Sequence, residues 1–137
     1  MIKIQGDVID INALINSVRN AESGAIVTFL GTVRAHDESS DMEIKALKYD
    51  AYNDMAMHKI DGIIEEARKI YNIIDVSVIQ RTGLIKLGED SIGIAVSSIH
   101  RKEAFKACEY IIDKIKIIPP IWKKEVYSDS EVWKSET

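Results

Sequence analysis

The sequence predicts an α+β fold with a mainly antiparallel sheet and about three helices. Two observations carry this. Helical and strand-like periods follow one another roughly as βα ββ α βββ α β, so strands and helices do not alternate strictly as they do in a parallel α/β fold. The chain also has one-domain dimensions. Its 137 residues are 46% apolar and 29% charged, ordinary globular values that make 1–137 a single domain.

Each element follows from its local pattern. Ile2 to Gln5 reads as a short first strand. Asp10 caps a helix expected through Asn20, with Ile11, Leu14, Ile15 and Val18 on one face. Gly24 opens the β-rich run Ala25 to Leu30, a buried strand that Gly31-Thr32-Val33-Arg34 leaves. The polar stretch Ala35 to Met42 is an exposed loop, and Glu43 to Asp50 a strand. Tyr52 to Tyr71 is a long helix, with Met55, Ile60, Ile63, Ile64, Ala67 and Ile70 as its apolar stripe. Asp75 to Arg81 alternates as a strand, and turns at Thr82-Gly83 and Gly88-Glu89-Asp90 bracket Leu84 to Leu87. Ser91 to Ser98 is a further strand. Lys102 to Ile118 is the clearest helix, striped by Ala104, Phe105, Cys108, Ile111, Ile112, Ile115 and Ile118. Pro119-Pro120 stops it, because proline lacks the amide hydrogen and restricts its predecessor. Ile121 to Tyr127 extends as the last strand.

Composition narrows function. The net charge of −4 disfavours a general nucleic-acid binder. The single cysteine, Cys108, excludes an intramolecular disulfide framework and a cysteine-based zinc cluster, and fits a reducing cytosol. The start MIKIQGDVIDIN lacks a signal layout, and no apolar run reaches the roughly 18 residues of a membrane helix, so a soluble cytoplasmic protein is expected. Walker, GxGxxG, HExxH and GxSxG motifs are absent, and His36, His58 and His100 have no metal-ligand spacing. Neither a metal nor a cofactor is expected.

The informative charge is local. Residues 101–127 hold seven basic and four acidic side chains in an otherwise acidic chain. That segment suits a small anion, or is an ordinary solvated helix face. His100-Arg101, at a strand–helix junction, suits a phosphate or carboxylate, or caps the helix with an exposed arginine. Lys116 projects at the edge of the apolar stripe. It either snorkels to water, or turns into a pocket where desolvation and nearby cations lower its pKa for proton or nucleophilic work. In an extended strand Lys123 and Glu125 share one face, Trp122 and Lys124 the other. The rigid prolines then either fold Lys123 back toward Lys116, or precede a plain surface strand with a buried tryptophan. Arg34 leaves a core strand at its end, where function often sits.

Together these segments resemble the MoaE family, the catalytic large subunits of molybdopterin synthase. The matching pieces are Phe29 to Arg34, Leu47 to Tyr52 with Met55-Ala56, and Arg81-Thr82-Gly83 with Leu87-Gly88-Glu89. Ser98 to Arg101 with Ala104-Phe105 follow, then Asp113 to Lys116 and Pro120 to Glu125. They keep the family's order over about residues 24 to 133. The resemblance implies an α/β hammerhead-type fold and a homodimer within a heterotetramer. Each subunit binds a small ubiquitin-like sulfur carrier ending in a Gly-Gly thiocarboxylate. Its sulfur passes to cyclic pyranopterin monophosphate, and two transfers make the dithiolene of molybdopterin. The implied catalytic pair is Lys116 and Lys123. The implied substrate-binding residues are Thr32, Val33, Arg34, His100, Arg101, Lys124 and Glu125.

Two positions depart from the family pattern. Gln80 stands where a histidine often precedes Arg81, and is read as structural. Asp129 to Trp133 lacks the glycine often found before the last tryptophan. The competing readings are a docking or anion-sensing module without turnover, and a scaffold subunit without pterin binding. A pure binder tolerates arginine at Lys116 and Lys123, because arginine keeps charge and phosphate contacts; an enzyme using lysine proton chemistry does not.

Overall fold

A computed structural model describes residues 1–36, 43–127 and 131–134. Its elements are β1 (Ile2–Gln5), α1 (Ile11–Asn16), β2 (Ala25–Thr32), β3 (Ala46–Ala51), α2 (Asn53–Ile70), β4 (Asp75–Arg81), β5 (Gly83–Lys86), β6 (Asp90–Ser98), α3 (Arg101–Ile115), β7 (Ile121–Val126) and β8 (Glu131–Lys134). The α+β class stands, but the strands form two four-stranded sheets, ordered β1-β4-β6-β2 and β5-β3-β7-β8. Every pairing is antiparallel except β1 with β4.

The first sheet is covered on both faces. Alternation on β6 sends Ile92, Ile94 and Val96 toward α2 and α3, where they meet Ile60, Ile64, Ala104 and Ile111. Ala95 faces the other way, onto Leu14, Val18 and Ile9 around α1. Ile60, Ile94, Ile111 and Leu14 are fully buried, each contributing roughly 1.5–3 kcal/mol through removal of apolar surface from water. The second sheet has its own small core of Val33, Ile44, Leu47, Tyr49, Ile85 and Tyr127.

Several ends differ from the sequence reading. The first helix stops at Asn16, not Asn20, where the Ser17 hydroxyl turns back to donate to the Leu14 carbonyl at 2.6 Å. The third begins one residue early, at Arg101, and ends at Ile115 rather than Ile118. Ile117 and Ile118 both donate to the Lys114 carbonyl in a loosened turn ahead of the prolines. Phe105 and Ile118 leave the expected stripe and are exposed, as are Met55 and Ile70 on α2, while Ala56 and Ala107 are buried instead. β2 runs on through Gly31 and Thr32 across a register irregularity, and β3 starts at Ala46, Glu43 making only an isolated bridge to His36. Trp122 is not buried: it stacks edge-on against Tyr52 with ring centroids 5.0 Å apart. β8 has no counterpart in the sequence reading. The expected loop at 37–42 and the tail positions 128–130 lie outside the described residues.

Glycine has a specific task where β2 begins. The Gly24 amide donates to the Ser98 carbonyl at 2.9 Å, and a Cβ there would collide with the Ile99 carbonyl oxygen. Gly83 takes φ +84°, the left-handed region, at the tight entry to β5.

Candidate functional site

The two sheets meet beside the C-terminal end of α3. A cleft there is lined by Ile112, Ile115 and Lys116 of α3 and its cap, Gln80 of β4, Ile92 of β6, Tyr49 of β3 and Ile121 of β7. Its walls are mostly isoleucine. Tyr49, Gln80 and Lys116 supply the polar groups around a volume of about 20 Å³, room for about one water.

Lys116 caps α3 and is half-buried, its amide donating to the Ile112 carbonyl at 3.1 Å. The chain turns through Pro119 and Pro120, with the Ile121 amide on the Pro119 carbonyl, and enters β7. There Lys123 lies directly across from Tyr49, and Glu125 across from Leu47. Directly opposed residues project to the same side of a sheet. Lys123 and Glu125 therefore share the inner face with Tyr49, which also lines the cleft with Lys116. Glu125 is 3% exposed, and the Tyr127 hydroxyl donates to its Oε1 at 2.6 Å.

Lys124 points the other way. It lines an outer groove with Lys48, Asp50, Thr82 and Leu84, so the lysine doublet serves both faces of one strand. Thr32 and Arg34 are exposed where β2 ends, with Thr32 paired to Asp90 at the start of β6. Ile92, two residues along, lines the cleft, which places Thr32 and Arg34 at the cleft end of the sheet. Val33 is buried in the core of the second sheet, its amide donating to the Glu89 carbonyl at 3.0 Å. Its side chain anchors the fold.

His100 and Arg101 are not at this end. Both are exposed at the N-terminus of α3, and His100 makes no side-chain cap. A 15-residue helix at about 1.5 Å per residue separates Arg101 from Lys116 by about 22 Å. Within one chain the basic residues form two groups at opposite ends of α3.

Sequence reasoning missed two residues of the cleft, Tyr49 and Gln80. The signal for Gln80 was available. The alternation Val76, Val78, Gln80 puts it on the helix-covered face with two core valines, where a polar side chain needs a reason.

Three comparisons bear on this arrangement. A family model described as "MoaE protein" matches residues 4–117. The molybdopterin synthase catalytic subunit of Thermoplasma volcanium is 53% identical over 119 residues, 85% of each chain. The crystal structure of molybdopterin synthase from Staphylococcus aureus superposes with a TM-score of 0.90 at 35% identity, covering 96% of this chain and 95% of that one. A complex of subunits 1 and 2 of molybdopterin-converting factor from Helicobacter pylori shares the fold, with a TM-score of 0.79 at 22% identity over 98% of this chain and 90% of that one.

Proposed function

The chain belongs to the MoaE family, and on that premise we propose that it is the catalytic subunit of a molybdopterin synthase, a sulfurtransferase of molybdenum cofactor biosynthesis acting in the cytoplasm. The observation that carries this reading is that Lys116 lines a largely apolar cleft between the sheets with Tyr49, the residue directly across from Lys123. The donor is the thiocarboxylate tail of a small ubiquitin-like carrier, and the acceptor is cyclic pyranopterin monophosphate. The tail's sulfur forms a bond to a carbon of the pterin as a carbon–oxygen bond at that carbon breaks, and the departing oxygen takes up a proton. The acyl carbon–sulfur bond then breaks as water supplies the replacing oxygen, and the tail leaves as a carboxylate. Lys116 and Lys123 stabilise the negative charge that develops and carry protons, work that ammonium groups do well beside apolar walls. Glu125, buried two positions from Lys123 on the same face, orients that lysine.

Thr32, Arg34, His100 and Arg101 bind the anionic end of the substrate, and Lys124 receives the carrier on the outer face. The 22 Å gap along α3 gives this assignment a condition: a second copy must supply the distant pair. β2 offers the means. It is the edge of the first sheet, eight residues without proline or charge, and such an edge accepts an added strand. Antiparallel pairing of β2 with its counterpart sets the Ala25 end of one copy beside the Thr32 end of the other. The Ala25 end carries the Ser98–Arg101 segment through the Gly24–Ser98 hydrogen bond. The pair thus delivers His100 and Arg101 of the partner subunit to the Lys116 cleft, which supports a homodimer at the centre of a heterotetramer.

The test is reconstituted sulfur transfer. This protein, a thiocarboxylated Gly-Gly carrier and cyclic pyranopterin monophosphate yield molybdopterin. Lys116→Ala and Lys123→Ala lower turnover at least about 100-fold, and Lys→Arg at either position does not restore it. Unchanged turnover in the alanine variants would remove the lysine pair from the chemistry.

A further inference from the structure

Arg81 is a cation where packing alone has little use for one. It is 6% exposed at the end of β4. Its Nη2 donates to the Gly6 carbonyl at 3.3 Å, and its Nη1 lies 3.7 Å from Glu89 Oε1. Its Nε is buried and has no hydrogen-bond partner among the described residues. A guanidinium so sparsely satisfied recovers little of its desolvation cost. A methionine of similar length would fill the same space without that cost, and Glu89 is exposed enough to be hydrated alone. The reason for a charge at this position therefore lies at the far end of the ion pair.

Glu89 belongs to the turn between β5 and β6. Its Oε1 accepts from the Lys86 amide at 2.8 Å while its own amide donates to the Lys86 carbonyl at 3.0 Å, so the side chain helps to close the turn. That turn grips the segment leaving β2 by one residue, from both sides. The Val33 amide donates to the Glu89 carbonyl at 3.0 Å, and the Gly88 amide donates to the Val33 carbonyl at 2.8 Å. Val33 is buried, whereas Thr32 and Arg34 on either side of it are exposed. What fixes the turn thus fixes the direction in which Arg34 leaves the sheet. An ion pair is a tether suited to this place, since the Glu89 side chain is 38% exposed and too open to be held by packing. We propose that Arg81 is a positioning residue: its pairing with Glu89 holds the 86–89 turn, and through Val33 the turn presents Arg34 to the anionic end of the substrate. This rests on the functional reading above, and adds a residue that reaches the substrate only through another.

The experiment pairs steady-state kinetics with amide hydrogen exchange on the intact protein. Arg81→Met raises KM for cyclic pyranopterin monophosphate about tenfold and leaves KM for the thiocarboxylated carrier within about twofold. It speeds exchange of the Val33 amide about tenfold, while the amides of the β2–β6 ladder keep their protection. Arg81→Lys, which keeps a charge opposite Glu89, recovers most of the pterin KM. In an Arg34→Ala background Arg81→Met adds no further rise, because it acts through that side chain. A merely structural arginine would speed exchange throughout the sheet, or change the pterin KM by the same factor with and without Arg34, and either result overturns the proposal. Where Arg81→Met does not fold, Glu89→Gln removes the charge from the exposed end and keeps an oxygen for the Lys86 amide. That variant must reproduce the rise in pterin KM, and an unchanged value overturns the proposal. Wild-type protein that makes no molybdopterin overturns the functional reading beneath it, whereas wild-type turnover with an unmoved KM in these variants overturns this inference alone.

Discussion

Glu125 is a carboxylate in a nearly closed environment, and Tyr127 is part of what makes that tolerable. The phenol supplies a short hydrogen bond from two residues along the same strand face. Tyr127→Phe deletes the donor but keeps the ring, and is expected to cost about 1–3 kcal/mol, read from the urea midpoint. Cys108 shows the opposite logic. Burial alone pushes its thiol up from 9.0 to about 11. The folded state therefore favours the neutral form. The thiol's contribution to stability is fully present below about pH 9 and is lost as pH rises through 11. At pH 8 iodoacetamide should alkylate Cys108 about 100-fold more slowly in the native protein than in urea. Equal rates would show that the α3 core opens freely.

The three helices and most strands were legible in the sequence because their periods are strong, and the discrepancies have local causes. The last helix was read three residues too long because the isoleucines at 115, 117 and 118 look continuous in a one-dimensional pattern. In three dimensions the turn before Pro119 loosens at Lys114, and only Ile115 stays buried. Helical periodicity places Phe105 in the stripe, yet the buried positions beside it are small, Ala104 and Ala107, because α3 lies close against β2 and β6. That close approach makes Ile111, fully buried at mid-helix, the residue α3 can least spare. Ile111→Ala is expected to lose about 2–5 kcal/mol in denaturant unfolding, while Phe105→Ala stays within about 0.5 kcal/mol. The Lys123/Glu125 and Trp122/Lys124 split was legible because strand alternation is local. Tyr49 was not, because its opposition to Lys123 depends on a pairing between segments more than 70 residues apart.

The whole molecule separates what the sequence lists together. Lys116 and Arg101 belong to one helix and stand at its opposite ends, so a site containing both has a subunit boundary through it. Co-expression tests this directly. A mixed dimer of Lys116→Ala and Arg101→Ala chains contains one site with neither substitution if the site is shared, and none if each chain is self-contained. Random mixing makes about half the dimers mixed, so recovered turnover should reach about a quarter of wild type from two variants that are each nearly inactive. No recovery in dimers shown to be mixed would return His100 and Arg101 to an ordinary solvated helix end. A proline placed in β2 where the amide faces the free edge, such as Thr28→Pro, is expected to weaken both dimerisation and recovery, read by sedimentation.

β7 has one further consequence. Its inner and outer faces each carry a lysine, in adjacent positions, and only Glu125 and Trp122 tell the faces apart. Loss of one residue between Pro120 and Lys123 would rotate the strand by half a turn. Lys124 would then occupy the place of Lys123, and the cation would survive. The buried acid would not, since Val126 would replace it and Glu125 would face water. Insertions and deletions in this strand are thus constrained by parity: a change of two residues preserves the inside-outside order, while a change of one leaves a protein of unchanged formal charge whose inward lysine has lost its carboxylate neighbour.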